Sequence, residues 1–444
     1  MPRWLYFLLL FAVLAPVLNV LHVPSILLFL VTGLGIVPLA ALIGQSVEQV
    51  AGHTGERIGG LLFATFGNAT ELIIGIFALS AGLVDVVRAS IIGSILGNVL
   101  LVLGVSTCVG CIKHGRLHFE TRPASQYASL LALSIGGLML PTFAQLLASL
   151  NHQAQIIERG ASLSVFIALM LLVGYLASIL FSVFRVGDKP SSDDADQLDV
   201  VLGARSEAAI ARLLAYRQHI VKSDTPGKTD VLRQIDTTLH TIVKHETGQD
   251  EAKAADSAPT QQVEAPAAPI APHAPGQPQG SPLPSTQQAT KPNLWLALLW
   301  LALATAGVAV LSEILVGSIE PLTKAFGWNA AFVGLIFLPL IANVTEYFNT
   351  ISMALDKRME MVLAASAGSS IQIALLIAPI LVLIGLFAPQ RLDLVFSIIE
   401  LAVLGLTTFL FSEITRDGEL VWLEGLLLIL LFAMMGGTVF LFGA

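Results

Sequence analysis

Residues 66–75 read FGNATELIIG and place Asn68, Thr70 and Glu71 inside one of the most apolar segments of the chain. An ionised carboxylate in the hydrocarbon core of a bilayer costs on the order of 3 kcal/mol or more. Carboxylates at such depth are therefore rare, and most of them serve a function. What surrounds Glu71 decides which fold and which function the sequence supports.

The composition predicts an integral membrane protein. Of the 444 residues, 55% are hydrophobic and 12% are charged, and the mean hydropathy is +0.80. Soluble domains carry about 25% charged residues. The formal charge of −8 is modest and indicates no nucleic-acid partner. We therefore expect the lipid bilayer as the surrounding medium, and the sequence is compatible with a homo-oligomer.

Apolar runs of about 20 residues, the length of a transmembrane helix, recur along the chain. They predict an all-α polytopic protein with about 11 transmembrane helices, at 4–21, 24–44, 57–80, 84–112, 124–147, 160–186, 294–316, 327–352, 359–388, 392–412 and 420–442. The run 4–21 also resembles a signal peptide. No small-x-small cleavage site follows it, which favours a retained helix.

Residues 187–293 have a different composition and are predicted to form a linker, partly disordered. They begin with an acidic run, continue with an amphipathic pattern over 203–247, and end in a segment rich in Pro, Ala, Gln and Ser. The last segment cannot bury enough apolar area to fold. We expect the linker to tether two membrane halves, with regulation by its acidic run as the alternative.

Basic residues predict the orientation of the chain. They are concentrated at one set of span ends, at Arg3, Arg57, Lys113, Arg116, Arg122, Arg185, Lys189, Lys357, Arg358 and Arg416. Cytoplasmic loops carry the excess of Lys and Arg, so the N-terminus and the loop 187–293 are expected in the cytoplasm. Since the sequence shows no separate targeting segment, a multi-pass protein of a bacterial inner membrane is expected.

The polar stretch around Glu71 has a counterpart 275 residues later. In one ungapped register this offset pairs Asn68 with Asn343, Glu71 with Glu346, Asp85 with Glu360, Gly93 with Gly368, and Ser94 with Ser369. Such agreement predicts two five-helix repeats, 23–186 and 294–444, with 1–22 as an extra N-terminal helix. Because five is odd, the repeats have opposite orientations, as in many secondary transporters.

Each repeat contains two apolar helices that polar residues interrupt, which is the best sequence indicator of a transport site. Pro339 lacks a backbone N–H and frees carbonyl groups near Asn343. Helical spacing places Asn68 with Glu71, Asn343 with Glu346, Ser94 with Asn98, and Ser369 with Gln372 on shared faces. If the halves meet at these faces, two carboxylates and several neutral oxygens form one cluster.

This set of donors predicts a site for a hard cation. It contains no Cys or His, which argues against zinc, copper and iron. Calcium takes about 6–8 oxygen ligands in irregular geometry, whereas magnesium demands a tight octahedron, so calcium fits better. Burial and mutual repulsion favour the protonated carboxylates, and a bound divalent cation favours the ionised ones. The pair, which titrates jointly, therefore holds either a cation or protons.

Several of these residues also have simpler interpretations. Ser and Asn commonly join membrane helices, which is the simpler role for Ser94 or Asn98 taken singly. Asp85 and Glu360 lie near helix starts, where an acid favours the helix dipole. Cys108 and Cys111 form a C-x-x-C pair without a second pair or a His, so we interpret them as packing residues.

The segments 64–104 and 342–379 resemble the two alpha-repeats of the calcium/proton exchangers, in the cation/calcium antiporter superfamily. The resemblance implies that Glu71 and Glu346 bind calcium and exchange it for protons. It implies supporting roles for Asn68, Asn343, Ser94, Ser369, Asn98 and Gln372, and for main-chain carbonyls near Gly67 and Ala342. It also implies alternating access in which the first helices of the two halves move across a bundle of the others.

The sequence departs from the family pattern at three places. Ala342 stands where the family usually has Gly, and Ile373 occupies the position that matches Asn98, beside Gln372. The linker is also longer and richer in Pro than expected. The two half-sites are therefore not equivalent.

The sequence thus predicts a secondary active antiporter that exchanges cytosolic Ca²⁺ for H⁺, with Ca²⁺ as transported substrate, no cofactor and no enzymatic activity. The nearest alternative is the same fold exchanging Na⁺, K⁺ or Mn²⁺. An intramembrane hydrolase lacks support, because the sequence has no H-E-x-x-H, Ser/His pair or G-x-G-D. A channel is disfavoured because a deep charged site favours occlusion over fast release.

Overall fold

The computed structural model describes residues 3–54, 61–62, 65–151, 160–182 and 294–442. The predicted linker 187–293 lies outside these residues, as do Arg57 and Arg185 of the basic residues that predict the orientation. The described part is helical apart from one antiparallel pairing, in which strand β1 (Leu117–His118) meets strand β2 (Glu419–Leu420). The predicted all-α class is confirmed.

The helices of the first half follow the apolar runs of the sequence. They are α1 (Arg3–Val20), α2 (Ser25–Thr54), α3 (Ala69–Ser80), α4 (Val84–Leu96), the π-helix π1 (Gly97–Val102), α5 (Leu103–His114), α6 (Thr121–Leu150) and α7 (Gly160–Ser182). The segments α4, π1 and α5 join into one span, Val84–His114. Helix α1 packs on α2, where Gly35 lets the backbone of Ala12 come close.

The second half contains the corresponding elements. They are α8 (Leu294–Phe326), α9 (Ala330–Phe332), π2 (Val333–Phe337), α10 (Leu338–Ala342), α11 (Val344–Leu355), α12 (Met359–Gln372), π3 (Ile373–Ile377), α13 (Ala378–Gly385), α14 (Ile398–Ile414) and α15 (Trp422–Phe442). Helix α8 packs along α2, so the first helices of the two halves lie side by side. Both membrane halves belong to one compact unit.

Among the described residues, seven helices are long and apolar enough to cross a membrane, or eight if the bent pair Ala330–Ala342 and Val344–Leu355 forms one span. The predicted count of about 11 spans therefore stays a prediction. Helices α2 and α8 extend well past the predicted spans 24–44 and 294–316. Polar residues such as Gln45 and Glu48 end an apolar run, but they continue a helix readily.

The irregularities of the helices repeat at the offset that the sequence predicted. A turn at Gly67 and Asn68 precedes α3, and Asn343 separates α10 from α11, whose pair is bent by 58°. The offset of 275 maps π1 onto 372–377, and π3 covers 373–377. The two helix breaks, and the π-helices π1 and π3, therefore occur at equivalent positions of the two halves.

Contacts between loops agree with spans that alternate in direction. On one side of the bundle, here face A, β1 pairs with β2 and the His114 ring reaches the carbonyl oxygen of Leu355 at 2.8 Å. On the opposite side, face B, the Arg88 guanidinium binds Asp393 at 2.6 Å. Face A carries the loops 115–120, 356–358 and 415–421, and it is the face predicted to be cytoplasmic. Face B carries the loops 81–83, 327–329 and 386–397.

Arg88 ties the start of α4 to the loop 386–397. One of its terminal nitrogens binds Asp85 at 3.1 Å and the other binds Asp393, and its side chain is only 25% exposed. Asp85 lies in the first turn of α4, as predicted, and Glu360 lies in the first turn of α12. Glu360 also reaches across the halves, because its carboxylate accepts the backbone N–H of Glu120 at 3.1 Å.

We expect Arg88→Gln to lower the free energy of unfolding by about 1–2 kcal/mol, because it removes two hydrogen bonds to charged groups. The measurement is the midpoint of thermal unfolding in detergent. Lys324→Gln is the control, since Lys324 and Glu320 form an exposed pair within one helix that contributes little. Equal shifts for both variants would contradict a tie at Arg88.

The two halves pack backbone to backbone where α4 crosses π2. A Cβ atom on Gly93 would overlap the carbonyl group of Leu335, and one on Gly334 would lie 2.5 Å from the carbonyl oxygen of Val86. Only glycine permits such an approach. This crossing brings the second half against the helix that carries Ser94.

Candidate functional site

Both helix breaks place an asparagine at the start of a helix without using its side chain as a cap. Asn68 precedes α3 and Asn343 precedes α11, and neither side chain hydrogen-bonds to the first turn of its own helix. Asparagine favours this position because its amide commonly caps the free N–H groups there. Here both side chains are buried and reach across to the other half instead.

A chain of four hydrogen bonds links five side chains of the two halves. The Asn343 amide donates to Asn98 at 3.0 Å, Asn98 to Ser369 at 2.9 Å, Ser369 to Asn68 at 2.8 Å, and Asn68 to Gln372 at 2.8 Å. Every one of these bonds crosses from one half to the other. In a low-dielectric interior such a network is strong when it is complete. It therefore fixes the two helix breaks relative to each other.

Asn98 lies at the centre of this chain and uses both ends of its amide. It is fully buried, donates to Ser369 and accepts from Asn343. This position agrees with the helix-joining interpretation of Asn98. Its repeat counterpart Ile373 cannot form such bonds, so the network has one bridge where exact symmetry would give two.

The two glutamates lie beside the network. Glu71 and Glu346 occupy the first turns of α3 and α11, close enough for their charges to interact, and the Ser369 side chain lies beside Glu346. Among the described residues, neither glutamate pairs with a Lys or Arg. Two negative charges so close together in an apolar interior require a cation or protons.

Two oxygen atoms at this place are buried without a partner. They are Oδ1 of Asn343 and Oε2 of Glu346, which the described residues leave without a hydrogen bond. A buried acceptor without a donor costs about 1–3 kcal/mol. Unsatisfied oxygens at the point where two halves meet are the feature expected of a ligand site.

Ser94 lies on the Glu71 side of the site. Both residues line a narrow cavity of about 10 Å³, roughly the free volume that one water molecule needs. The rest of its wall is formed by Gly75, Val87, Ser90, Ile91, Ile373, Ile377 and Leu381. The cavity thus gives Glu71 a small polar space between α3 and α4 inside an otherwise apolar wall.

All ten predicted site residues belong to this region. Five form the hydrogen-bond chain, Glu71 and Ser94 share the cavity, and Glu346 lies beside Ser369. Gly67, in the turn, and Ala342, at the end of α10, directly precede the two asparagines. The C-terminal end of α10 therefore presents its last carbonyl groups near Asn343, because the last carbonyl groups of a helix have no partners within it.

The candidate site offers two carboxylates and several neutral oxygen atoms as ligands for a cation. Among the described residues, no group of three or more His, Cys, Asp or Glu side chains is arranged so that it could hold a metal ion. A cation at this site would bind the two carboxylates and draw its remaining ligands from amide, hydroxyl and main-chain oxygens. Such a donor set is typical of hard cations.

Besides Glu424 near the start of the span 420–442, two further glutamates in predicted spans were not singled out by the sequence analysis. Glu400 is buried in α14, where it forms a capping box with Ser397. Glu313 is exposed on α8, on the helix face that carries Ala302, Ala306 and Ala309. The signal that finds both is an acid within an apolar run, but only the capping pattern S-x-x-E tells a structural acid from a functional one.

The C-x-x-C pair has the packing role that was predicted. The thiols of Cys108 and Cys111 are free and donate to the carbonyl oxygens of Trp422 and Leu420, both at 3.3 Å. They tie α5 to the segment before α15 on face A.

Asn98→Ala removes the centre of the hydrogen-bond chain. Ser369 then loses the donor, and Asn343 the acceptor, that Asn98 provides. We expect the free energy of unfolding to fall by about 2 kcal/mol, because two buried polar groups lose partners. Thermal unfolding in detergent measures this loss. Ser134→Ala is the control, since the Ser134 hydroxyl is buried but bonds only to Leu130 of its own helix. If both variants unfold at the same temperature, the chain does not hold the halves together.

Comparisons with known proteins identify the family of the chain. A family profile described as sodium/calcium exchanger protein matches residues 24–184 and 296–441. The chain is 33% identical over 407 residues to a Ca²⁺/H⁺ antiporter of Synechocystis, covering 92% of this chain and 89% of the relative. It is 29% identical to the Ca²⁺/H⁺ antiporter ChaA of Bacillus subtilis, covering 95% and 94%.

Solved structures show the same fold. The structure of native YfkE matches with a TM-score of 0.66 and 26% identity, covering 98% of this chain and 99% of the other. The structure of the H⁺/Ca²⁺ exchanger CAX matches in fold with a TM-score of 0.58 and 14% identity, over 97% and 87%. The chain therefore belongs to the sodium/calcium exchanger protein family, and its resemblance to the calcium/proton exchangers is confirmed.

Proposed function

We propose that this protein exchanges Ca²⁺ for H⁺ across a membrane by alternating access, with Glu71 and Glu346 as the shared binding groups. The observation that carries the proposal is the pair of glutamates at two equivalent helix breaks, next to the unpartnered oxygens of Asn343 and Glu346. The Ca²⁺/H⁺ antiporters of Synechocystis and Bacillus subtilis support the same activity. The two ions compete for one place, and this competition couples their transport.

In the cation-loaded state, both glutamates are ionised and balance the charge of Ca²⁺. The side-chain oxygens of Asn68, Asn343, Ser94 and Ser369, with main-chain carbonyls near Gly67 and Ala342, complete the coordination. Asn98 and Gln372 orient the two asparagines through the hydrogen-bond chain. Calcium tolerates such a mixed and irregular set, which magnesium does not.

In the proton-loaded state, the same carboxylates are neutral. Two buried like charges without a cation repel each other and lack solvation, so proton uptake accompanies release of Ca²⁺. The net charge of the site is close to zero in either loaded state. The apolar surroundings destabilise the empty state in which both carboxylates are ionised. Conformational change is then confined to loaded states, as exchange requires.

The repeats 23–186 and 294–444 form the two halves of the proposed exchanger, and 1–22 is the extra helix. The excess of Lys and Arg on face A supports a cytoplasmic location for that face, for the N-terminus and for the loop 187–293. The bacterial antiporter relative supports a bacterial inner membrane. In this orientation the protein removes Ca²⁺ from the cytosol at the expense of the proton gradient.

The test is uptake of ⁴⁵Ca²⁺ into proteoliposomes with an acidic interior. Uptake should follow the pH gradient and stop when nigericin with K⁺ collapses it. Excess Na⁺, K⁺, Mn²⁺ or Mg²⁺ in the same assay ranks the competing cations. If no uptake depends on the pH gradient, the exchange of Ca²⁺ for H⁺ is wrong, and uptake driven by a Na⁺ or K⁺ gradient would identify the alternative exchanger.

A further inference from the structure

The narrow cavity beside Glu71 has the size and the polar wall that a single water molecule requires. Its free volume of about 10 Å³ is close to the smallest space that holds one water. Three of its wall residues carry polar side chains, namely Glu71, Ser90 and Ser94, and the others are apolar or glycine. A buried water makes about three hydrogen bonds, so the number of polar partners also fits.

The two serine hydroxyls in this wall have no other partner. Ser and Thr hydroxyls within helices often donate to the carbonyl group four residues earlier, and Ser80 and Ser134 do so here. Ser90 and Ser94 make no such bond, and neither hydroxyl is hydrogen-bonded to any residue in the described part of the chain. Ser94 is only 2% exposed, so bulk water does not satisfy it. A water molecule in the cavity would remove the cost of this unpaired group.

The inverted repeat shows what takes the equivalent place in the second half. Ser369 is the counterpart of Ser94, and its hydroxyl accepts the Asn98 amide at 2.9 Å. The counterpart of Asn98 in the first half is Ile373, which lines the cavity and cannot form a hydrogen bond. Ser94 therefore lacks the partner that Ser369 has, and the cavity lies beside it.

A second pair of positions differs in the same way. In the second half, the Ser106 hydroxyl donates to Thr350 at 2.9 Å. At the offset of 275, Thr350 corresponds to Gly75 and Ser106 to Leu381, and both of these residues line the cavity. Direct contacts between polar side chains thus occupy the second half where the first half has an apolar wall around a small space.

Ser90 is the exception, because here the first half has the polar residue. Its counterpart is Ala365. Ser90 precedes Ser94 by four residues and therefore shares a face of α4 with it. A water molecule that bridges these two hydroxyls would take the part that the Asn98 amide takes in the second half.

We propose that one water molecule binds in this cavity to Glu71, Ser90 and Ser94, and that it is retained as an additional ligand when Ca²⁺ binds. Calcium commonly keeps water among its oxygen ligands. Ser90 touches the water and not the cation, so it is a positioning residue for the candidate site. Its effect on Ca²⁺ rests on the proposed function, whereas the water site itself does not.

A crystal structure of the protein without Ca²⁺, at a resolution that shows ordered water, tests the site directly. We expect one peak of density within hydrogen-bond distance of Glu71, Ser90 and Ser94. The peak should be lost in Ser90→Val, which replaces the hydroxyl by a methyl group. A parent structure without density in the cavity would overturn the proposal.

Equilibrium binding of ⁴⁵Ca²⁺ to the protein in detergent tests the role of Ser90. Ser90→Val should raise the Kd for Ca²⁺ about fivefold, the effect of one lost hydrogen bond. Ser90→Thr has nearly the shape of valine but keeps the hydroxyl, so its Kd should stay within about twofold of the parent. Ser80→Val is the control, since Ser80 is exposed on α3 and bonds only to Ile76 of its own helix.

Equal Kd values for Ser90→Val and Ser90→Thr would overturn the role of the hydroxyl, and so would a rise in Ser80→Val as large as in Ser90→Val. If Ser90→Val does not fold, Ser90→Ala is compared with Ser90→Thr by the same measurement, because it removes the hydroxyl without adding volume.

Failure of the proposed function would give a different result from failure of this inference. A parent that binds Ca²⁺ but does not exchange it for H⁺ would still show the effect of Ser90→Val on the Kd. A parent that exchanges the two ions, with an unchanged Kd in Ser90→Val, would reject the retained water alone. A parent that binds no Ca²⁺ would reject both the proposed function and this role of Ser90.

Discussion

Glu71→Gln and Glu346→Gln should each abolish Ca²⁺ uptake driven by a pH gradient. Glutamine keeps the size and one oxygen of the side chain, but it neither carries the charge that balances Ca²⁺ nor releases a proton. Loss of one charged ligand from a buried cation site is expected to lower uptake by about a hundredfold or more, which corresponds to roughly 3 kcal/mol of binding. The measurement is the initial rate of ⁴⁵Ca²⁺ uptake into proteoliposomes with equal protein content.

Glu400→Gln is the matched control for these variants. Glu400 is also buried in a helix of the membrane part, but its carboxylate caps α14 by accepting the backbone N–H of Ser397 at 2.8 Å. Glutamine preserves a capping box, so uptake should stay close to that of the parent protein. Uptake that survives Glu71→Gln, or a loss in Glu400→Gln as large as in Glu346→Gln, would remove the glutamate pair from the mechanism.

Among substitutions of the described glycines by alanine, Gly93→Ala should be the most destabilising. The new Cβ would overlap the carbonyl group of Leu335, which is backbone and cannot turn aside as a side chain does. Overpacking of this kind costs about 1–3 kcal/mol, and more where backbones must separate. We expect a large fall of the unfolding midpoint in detergent, with loss of monodisperse protein.

The repeat itself supplies the control for this prediction. Gly368 is the counterpart of Gly93 at the offset of 275, but a Cβ on Gly368 meets no atom within 4 Å. Gly368→Ala should therefore leave the unfolding midpoint unchanged or raise it slightly, because alanine favours a helix. If the two alanine variants are equally stable, α4 and π2 do not cross as closely as described.

The hydrogen-bond chain was only partly predictable from the helical spacing of its residues. Helical spacing predicted which polar residues share a face, and the residues of both halves do meet. Spacing could not predict that the bonds alternate between the halves, with Asn98 as the bridge. That outcome depends on how deeply one half enters the other, which the glycines at the crossing of α4 and π2 determine.

The bounds of the helices also show what local sequence patterns can and cannot predict. Apolar runs located every described helix, because membrane helices must bury their backbone polar groups in an apolar segment. The runs underestimated α2 and α8, whose polar ends continue the helix beyond the apolar part. They also gave one predicted span each for 57–80 and 327–352, where the structure has a break at an asparagine.

The sequence by itself determined the class of the protein, its internal repeat and the residues of the candidate site, because apolar length, periodicity and buried charge are properties of short segments. Only the tertiary structure decided how the two halves combine. It placed Asn98 between Ser369 and Asn343, and it left one oxygen of Asn343 and one of Glu346 without a hydrogen-bond partner among the described residues. It also formed a cavity beside Glu71 and Ser94, at the place where the second half brings Asn98 against Ser369. These features arise from contacts between residues far apart in the chain, and a repeat in the sequence cannot show where packing departs from its symmetry.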